Sequence, residues 1–297
     1  MKKTILLTGA TGFLGSHILA SLREIADVIV LKRSFSDVWR IRQLLSGVTH
    51  YDTDKTPLEN IFQEHRIDGI VHVATEYGRK KEAEEIVASN VVFPLKLLRL
   101  GVSHKVPFFI NTDTFYNKGA FVYSYLSHYS LSKKQFVAWL KLFQGQGTRI
   151  LSLKLAHFYG PKDGPEKFVP QMLSRMLRHE AKIELTGGKQ RRDFIYVDDV
   201  VRAYRMLVEK IEEIREPYLE LDVGTGRSAS VKDFLQVMRR LTRSRSTLEF
   251  GKLPYRKDEI MEHHSRTSGL VRILGWKPET CIEDGLTKLI ASEQAAL

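Results

Sequence analysis

A glycine-rich turn that directly follows the first apolar segment constrains the fold most. Residues 5–7 (Ile-Leu-Leu) lack polar alternation, as is typical of a strand buried on both faces of a parallel sheet. Gly9, Gly12 and Gly15 come next, and a helical apolar pattern follows. Such a unit cradles a diphosphate, because the backbone approaches the anion closely and the helix start offers free N–H groups. The predicted dinucleotide contacts are Gly9, Thr11, Gly12, Phe13 and Leu14.

The end of the second predicted strand, residues 27–34, indicates which dinucleotide would bind. An acidic residue there would hydrogen-bond the adenosine ribose 2′-hydroxyl and repel a 2′-phosphate. Lys32, Arg33 and Ser34 occupy those positions. Because a guanidinium can hold a phosphate in a bidentate pair, we expect NADP(H), with Arg33 and Ser34 among its contacts. Asp52, which ends the third predicted strand, is placed to accept from adenine N6 or only to turn the chain.

The following segments continue an alternation of strands and helices. A strand over residues 69–75, a helix over about 80–100 and a strand over 107–111 are predicted. This alternation predicts an α/β fold with a doubly wound parallel sheet of the Rossmann type. Ligands bind such sheets at the carboxyl ends of the strands. Besides the glycine turn, that edge would carry Arg33, Ala74, Thr75 and Thr112.

A tyrosine and a lysine form the candidate reactive pair. Tyr129 and Lys133 are four residues apart in a helix predicted to open at about Tyr123, so both project from one helical face. A phenol with a pKa of about 10 is a poor acid–base group at neutral pH. A neighbouring ammonium would lower that pKa and tune Tyr129 for proton transfer. The spacing is common by chance, but its position after a dinucleotide turn favours catalysis.

Other polar residues are interpreted without a ligand. His72 lies in an apolar strand and is expected to be a core histidine. Asp198 and Asp199 open a predicted helix and are expected to cap it rather than to bind a metal. His263 and His264 are adjacent, cannot share one face of a helix or strand, and are placed on the surface. No metal site is predicted.

The composition of the 297-residue chain indicates its cellular location and the kind of ligand it binds. It is 43% hydrophobic and 27% charged, no apolar run approaches the ~20 residues of a membrane helix, and Cys281 is the single cysteine. We therefore expect a cytoplasmic protein with no membrane partner. The net charge is +11, but the one basic cluster, residues 239–245, carries no aromatic side chains. Phosphorylated small molecules are therefore favoured over nucleic acid as ligands.

Several motifs together resemble the extended short-chain dehydrogenase/reductases that act on nucleotide sugars. The motifs span nearly the whole chain: Gly9-x-x-Gly12-x-x-Gly15, Thr112 before Tyr116, Tyr129-x-x-x-Lys133, and residues 159–161, 192–199 and 275–278. Within that family the chain is most similar to bacterial CDP-abequose and CDP-paratose synthases, at residues 72–78, 111–115, 164–170 and 256–261. The resemblance implies an NADPH-dependent 4-ketoreductase of CDP-linked 3,6-dideoxyhexoses, which serves bacterial surface polysaccharide synthesis.

The resemblance also implies roles for the matching residues. Tyr129 would protonate the sugar oxygen at C4, Lys133 would hold the nicotinamide ribose, and Thr112 would orient that oxygen. Asn90 matches a cofactor-side position that mainly supports the helix of the pair. The implied substrate contacts include two arginines for the diphosphate and two residues that wall the base: Glu76, Asp113, Thr114, His157, Phe168, Val169, Arg192 and Arg256. His157 departs from the family, since many relatives have an asparagine there.

The resemblance further implies two domains and a homodimer. A Rossmann domain would comprise residues 1–155 plus about 194–224, and a smaller α/β domain for the nucleotide sugar would comprise about 156–193 plus 225–297. The helices around Asn90 and Tyr129 would pack against a twofold mate.

Related activities are weighed as alternatives. The 4,6-dehydratases carry Thr-Asp-Glu where residues 112–114 are Thr-Asp-Thr, which disfavours dehydration. The 4-epimerases usually hold NAD, and Arg33 without a nearby carboxylate counts against this. A non-catalytic NADP-binding regulator would not need Thr112, Tyr129 and Lys133. The sequence leaves open which nucleotide is attached, whether C3 is deoxygenated, and which face of C4 receives hydride.

Overall fold

A computed structural model of the protein describes residues 2–78, 81–117 and 124–295. Lys80 and Tyr123, where the sequence places the starts of two helices, lie outside the described residues. The strands are β1 (Lys3–Thr8), β2 (Ala26–Lys32), β3 (Thr49–Asp52), β4 (Gly69–His72), β5 (Phe108–Thr114), β6 (Arg149–Leu155), β7 (His157–Tyr159), β8 (Lys182–Leu185), β9 (Arg191–Arg192), β10 (Phe194–Tyr196), β11 (Tyr218–Val223), β12 (Ala229–Ser230) and β13 (Thr247–Phe250). The α-helices are α1 (Phe13–Leu22), α2 (Arg42–Leu45), α3 (Leu58–Glu64), α4 (Ala83–Val87), α5 (Phe93–Ser103), α6 (Ser127–Leu142), α7 (Phe168–Leu177), α8 (Val197–Glu209), α9 (Val231–Leu241), α10 (Ser268–Leu274) and α11 (Ile282–Gln294).

Seven strands form the central sheet, in the order β11-β6-β5-β4-β1-β2-β3. Every neighbouring pair is parallel. The chain builds outward from β1 to β3, then returns to the other side of β1 with β4. The doubly wound α/β fold predicted from the sequence is therefore confirmed, and its switch point lies between β1 and β4. Ligands bind such sheets in the crevice beyond the carboxyl ends of the strands at this point.

Apolar layers cover both faces of the sheet, which explains the unbroken apolar run of β1. Successive side chains of a strand point to opposite faces. Ile5 and Leu7 pack with the buried faces of α1 and α8, whereas Leu6 packs with α3, α5 and α6. All three side chains are fully buried. The first layer continues into the second half of the chain, so that one core also supports α7, α9 and α11.

One continuous helix is formed by α4, a π-helical turn (Ala88–Val92) and α5. Its 21 residues, with a mean hydropathy of 1.4 in the most apolar window, are long and apolar enough to cross a membrane by length and composition alone. No such segment stands out in the sequence, because charged residues such as Lys96 interrupt the apolar run. However, 44% of that window is buried, and Leu97 and Leu98 are fully buried against the sheet. The helix is thus part of the core of the described structure.

The strands outside the central sheet form three small pairs, β7 with β10, β8 with β13 and β9 with β12. The fully buried carboxylate of Asp193 fastens this region. It accepts hydrogen bonds from the backbone N–H groups of Thr225 (2.8 Å), Gly226 (3.0 Å) and Ser265 (3.0 Å), and from the Thr225 hydroxyl (2.6 Å). Hydrogen bonds from this many donors offset the cost of removing the carboxyl group from water. Asp193 therefore ties together three separate segments, a role that no local pattern predicted.

Asp199 fastens the C-terminal segment in a similar way. Its carboxylate accepts from the backbone N–H groups of Glu279 and Thr280, each at 2.9 Å, and its carbonyl accepts from the Trp276 indole N–H at 3.2 Å. The prediction that Asp199 caps its own helix is wrong, because those donors lie far along the chain. Asp198 is exposed in the first turn of α8, where a carboxylate is favourable.

Candidate functional site

The glycine turn lies between β1 and α1, and each glycine has its own reason to lack a side chain. At Gly9, where φ is +74°, a Cβ would lie 2.5 Å from the Ala74 nitrogen. A Cβ on Gly15 would lie 2.0 Å from the Gly9 oxygen. Gly12 is different, because a Cβ there would meet one described neighbour within 4 Å, the Gly9 oxygen at 3.3 Å. Gly9 and Gly15 thus permit close packing, while Gly12 leaves an open, exposed face that fits a diphosphate.

Thr8 holds the turn to the end of β4. Its hydroxyl accepts from the backbone N–H groups of Val73 and Ala74, each at 3.2 Å, and lies 2.8 Å from the His72 Nδ1. His72 is buried among aromatic rings, and this burial lowers its pKa well below the usual value. The interpretation of His72 as a core histidine is therefore confirmed. The small residues after β4 lie directly beside the glycine turn.

Two carboxylates from the segment around the end of β3 lie beside the end of β2, which its own residues did not indicate. Arg33 is exposed, as a phosphate ligand requires. Ser34, however, donates its backbone N–H (2.7 Å) and hydroxyl (2.5 Å) to the Asp54 carboxylate, which follows β3. The expectation that no carboxylate lies near Arg33 is therefore wrong, since it considered β2 alone. Asp52, the predicted adenine partner, forms an ion pair with Lys32, and its role towards adenine stays a prediction.

Arg40 lies beside the glycine turn and was missed by the sequence analysis. Its Nε donates to the Lys162 carbonyl at 2.7 Å, and its NH1 lies 3.4 Å from the Thr11 carbonyl. The Pro161 carbonyl lies 3.0 Å from Nε2 of His17 on α1. Sequence spacing could not predict these contacts, because Pro161 and Lys162 are more than 100 residues away from His17 and Arg40 in the sequence.

Tyr129 and Lys133 are both buried on one face of α6, at the carboxyl edge of the sheet. The Tyr129 ring stacks on Tyr77, with centroids 4.9 Å apart and planes at 29°. Its hydroxyl lies close enough to Thr114, the last residue of β5, for that side chain to favour a lower pKa of the phenol. The predicted pair is therefore brought to the same edge as the glycine turn.

Thr112 is not the threonine that contacts Tyr129. Its hydroxyl donates to the His72 carbonyl (2.9 Å) and lies 2.7 Å from the Tyr204 hydroxyl. Thr112 and Thr114 share one face of β5, because side chains alternate along a strand. The last residue of the strand, Thr114, is the one that reaches α6. Thr114 thus lies beside the Tyr129 hydroxyl, while the role of Thr112 towards the sugar oxygen stays a prediction.

Burial, rather than the lysine, dominates the pKa values at the pair. Burial raises the pKa of the Tyr129 phenol well above its usual value, and the nearby Tyr77 hydroxyl adds to the rise. The expectation that Lys133 lowers this pKa is therefore wrong, since loss of hydration penalises the phenolate. Burial lowers the pKa of Lys133 to about 8, although Asp113 opposes the shift. Burial raises the pKa of Asp113 to about 6, against the field of Lys133.

Asn90 connects the end of β4 to the helix of the pair. It lies in the π-helical turn, a feature often found at functional sites. Its Oδ1 accepts from the Glu76 backbone N–H (2.7 Å) and the Thr75 hydroxyl (3.3 Å). Its Nδ2 donates to the Glu76 carbonyl (2.8 Å) and the Ser132 hydroxyl (2.9 Å). These four bonds give Asn90 a supporting role, in line with the resemblance.

The two arginines expected to share a diphosphate have separate partners. Arg192 is buried, forms an ion pair with Glu259 and donates to the carbonyl of Ile260. The exposed Arg256 lies with its guanidinium carbon 3.5 Å from the Tyr125 ring centroid. Arg192 is thus already paired with the Glu259 carboxylate, and the shared hold of the two guanidiniums on one diphosphate stays a prediction.

An aromatic cluster surrounds His157. Its ring lies 4.1 Å from Phe115 and 6.0 Å from His263, centroid to centroid. His263 is buried, so its predicted surface position is wrong, whereas the neighbouring His264 is exposed. The His157 Nδ1 is buried and has no hydrogen-bond partner in the described parts of the chain. Burial and the Arg192 charge lower the pKa of His157 well below its usual value, so a neutral imidazole faces this region.

The remaining predicted substrate contacts lie in three places. The Glu76 carboxylate accepts from the backbone N–H of Gly78 at 3.2 Å. Asp113 is buried beneath the site. Phe168 is exposed in the first turn of α7, while Val169 packs partly against the core. Their contacts with a nucleotide sugar stay predictions.

Similar proteins cover almost the whole chain. The profile of the NAD dependent epimerase/dehydratase family matches residues 5–223. The CDP-abequose synthase of Salmonella muenchen is 36% identical over 298 residues, covering 99% of both chains. The solved structure of the UDP-glucose 4-epimerase of Thermotoga maritima with UDP-glucose has a TM-score of 0.83 at 25% identity, covering 99% of both chains. That of the UDP-glucuronic acid 4-epimerase of Bacillus cereus with UDP-glucuronic acid and NAD has a TM-score of 0.84 at 22% identity, covering 99% of this chain and 100% of the other.

Alanine at Gly12 and at Gly15 should have different effects. Gly12→Ala projects a methyl group into the open face, so the Kd for the dinucleotide should rise about tenfold or more, with the melting temperature nearly unchanged. Gly15→Ala forces a methyl group against backbone and should lower the free energy of unfolding by roughly 1–3 kcal/mol. Isothermal titration and urea unfolding measure the two quantities. A Gly12→Ala protein that binds dinucleotide normally would contradict the assignment of the open face.

Proposed function

The chain belongs to the NAD dependent epimerase/dehydratase family of extended short-chain dehydrogenase/reductases, and we propose that it reduces the C4 keto group of a nucleotide-linked sugar with NADPH. The proposed substrate is a 6-deoxy or 3,6-dideoxy-4-ketohexose carried on CDP. The proposed setting is the synthesis of bacterial surface polysaccharide sugars in the cytoplasm. The identity of 36% with a CDP-abequose synthase over nearly the full length supports this substrate class.

The observation that carries the proposal is the buried Tyr129 with the Thr114 hydroxyl beside it. Because burial raises its pKa, Tyr129 keeps its proton at neutral pH. A protonated phenol is the form that can donate to a carbonyl oxygen as hydride arrives. Lys133, with a pKa lowered to about 8, remains mostly charged at neutral pH and can stabilise the developing oxyanion. Thr114 adds a second hydroxyl at the same place.

The proposed cofactor contacts follow from the residues at the carboxyl edge. Gly12 and the N-terminus of α1 would hold the diphosphate, Arg33 would pair with the 2′-phosphate, and Lys133 would hold the nicotinamide ribose. When bound, NADPH supplies the hydride for C4. In this proposal the first of the two domains expected from the sequence binds the cofactor, and the second binds the nucleotide sugar.

The residue at position 114 argues against dehydration. Elimination of water from a nucleotide sugar needs an acid and a base at the sugar, which the 4,6-dehydratases supply as Asp-Glu. Thr114 contacts Tyr129 at the position of that glutamate, and a hydroxyl is a poor base at neutral pH. Asp113 alone cannot supply both functions.

A 4-epimerase is the second candidate, and Asp54 favours it. Its carboxylate accepts hydrogen bonds from Ser34 at the end of β2. In dinucleotide-binding folds, a carboxylate near this position accepts from the ribose 2′-hydroxyl of NAD. An epimerase returns its hydride and consumes no net cofactor, whereas a reductase oxidises one NADPH for each sugar. The stoichiometry of cofactor oxidation therefore separates the two candidates.

We also propose a homodimer formed by the long helix that contains Asn90 together with α6. Exposed large apolar side chains are present on both elements: Val87, Val92, Leu131 and Trp139. The two elements pack beside each other, so these side chains can form one apolar surface. A twofold mate would cover it.

The proposed reaction predicts a specific loss in Tyr129→Phe. NADPH oxidation with CDP-, dTDP- and GDP-linked 4-keto-6-deoxy sugars should occur with at least one donor, and one NADPH should be used per sugar. Tyr129→Phe should lower kcat by about 10²–10⁴-fold, because the proton donor is lost, while the Kd for NADPH changes little. Tyr218→Phe serves as the control. No oxidation with any donor, despite tight NADPH binding, would refute the reductase.

The cofactor assignment predicts that Arg33→Ala weakens NADPH binding selectively. Loss of a charge-assisted phosphate contact should raise the Kd for NADPH by about tenfold to a hundredfold and leave the Kd for NADH unchanged. Arg66→Ala, whose side chain is 92% exposed at the opposite edge of the sheet, is the matched control. Equal weakening of both cofactors would overturn the NADP(H) assignment.

A pair of valine variants tests which threonine orients the sugar oxygen. Thr114→Val removes the hydroxyl at Tyr129 and should lower kcat by about tenfold or more. Thr112→Val removes a hydroxyl that is bonded to the His72 carbonyl and the Tyr204 hydroxyl. It should lower the melting temperature, while kcat of the folded protein changes less than in Thr114→Val. Steady-state kinetics and thermal melting of both variants decide the assignment. The reverse ranking would return the orienting role to Thr112.

A further inference from the structure

We propose that Lys167 is a positioning residue that fixes Tyr129 through Tyr77. The segment of residues 161–167, called here the bridging segment, would thereby connect the dinucleotide turn to the reactive hydroxyl. This inference rests on the proposed role of Tyr129 as the proton donor. It assigns a task to residues that lie outside the motifs of the site.

The first step is the contact between the two tyrosines. The ring of Tyr77 stacks on that of Tyr129, 4.9 Å away. Tyr77 follows β4, whereas Tyr129 belongs to α6, so this contact joins two separate elements. An offset stack of this kind restricts the tilt of both rings. The direction of the Tyr129 hydroxyl therefore depends on where Tyr77 is held.

The second step is the hold that Lys167 has on Tyr77. The Lys167 Nζ lies 4.8 Å from the Tyr77 ring centroid, and the Tyr77 side chain favours the charged form of the ammonium. The same Nζ lies 3.3 Å from Oδ1 of Asp163, whose side chain is 6% exposed. Asp163 is fixed in turn by the backbone N–H of Gly164 at 2.8 Å. The ammonium is thus held between a buried carboxylate and an aromatic ring, a favourable place for a cation.

The third step is the attachment of the bridging segment to the glycine turn. Arg40 joins the Lys162 carbonyl to the Thr11 carbonyl, and the Pro161 carbonyl contacts His17 on α1. Lys162 has a φ of +68°, in the left-handed region that a lysine adopts only at a cost. Such strain is retained where surrounding contacts impose it, often at functional sites.

These three contacts form one continuous series from the dinucleotide turn to Tyr129. Arg40 and His17 hold one end of the bridging segment, and Lys167 holds Tyr77 at the other. A small displacement at the turn can therefore reach the hydroxyl that donates the proton. A misplacement of a reacting group by about 1 Å can cost about 10²-fold in rate without loss of binding.

The test compares Lys167→Met, Lys167→Arg and the surface control Lys182→Met in the full chain. Lys167→Met keeps the length of the side chain but removes its charge. It should lower kcat by about tenfold to a hundredfold, with KM for the sugar and Kd for NADPH within about twofold of wild type. The primary isotope effect with 4-deuterated NADPH should rise, because chemistry becomes slower than product release. Lys167→Arg should restore most of kcat.

Two results would overturn the proposal. A rise in KM or Kd with unchanged kcat would make Lys167 a ligand contact. A loss of activity that follows the unfolded fraction, with an unchanged isotope effect, would make its role structural. Tyr77→Leu, which removes the ring that contacts both Tyr129 and Lys167, should reproduce the effect of Lys167→Met with near-normal melting, so a misfolded lysine variant leaves the proposal testable.

A double-mutant cycle separates this inference from the proposed function. Urea unfolding of Lys167→Met, Tyr77→Leu and the double variant measures the coupling between the two side chains irrespective of turnover. Non-additive effects are expected, and additive effects would refute the link. If the wild type reduces none of the sugars while the cycle remains non-additive, the proposed function fails but the contact stands.

Discussion

The close approach of β1 and β4 at their carboxyl ends is the constraint on which the site depends. Thr8 accepts hydrogen bonds from two backbone N–H groups just beyond β4, and Gly9 leaves no room for a side chain there. This contact fixes the glycine turn, and it also fixes the direction in which the chain leaves β4. Asn90 is hydrogen-bonded both to the backbone of Glu76, in the segment after β4, and to Ser132 on α6. It therefore connects this segment to α6. The glycine turn and Tyr129 are therefore positioned by one short region of backbone.

Local patterns predicted the frame of the site but not its contacts. The glycine turn, the sheet and the shared helical face of Tyr129 and Lys133 follow from neighbours within a few residues, which sequence periodicity reads directly. Asp54, Arg40 and His263 could not be found in this way, since each meets partners from distant segments. For a different reason, the strand alone could not show whether Thr112 or Thr114 lies beside Tyr129. Both lie on one face of β5, and only the packing of α6 decides which one reaches it.

Burial sets the protonation state of the reactive pair. From the sequence, a cation beside a phenol is expected to lower the pKa of that phenol, because the loss of hydration is not visible there. In the structure Tyr129 and Lys133 are both buried, and each is shifted towards its neutral form. Asp113 is shifted in the same sense. The site thus favours a proton on the tyrosine, which suits proton donation in reduction better than proton removal.

The pairing of β6 with β11 has a consequence for how the chain acquires its structure. These strands are neighbours in the sheet, although residues 156–217 lie between them. A parallel pair cannot close until its crossover is in place, and non-local pairing of this kind slows folding. On the ribosome, β6 therefore remains an unpaired edge until the second half of the chain has emerged. We expect the nascent protein to be most prone to aggregation during that interval, before β11 covers the edge.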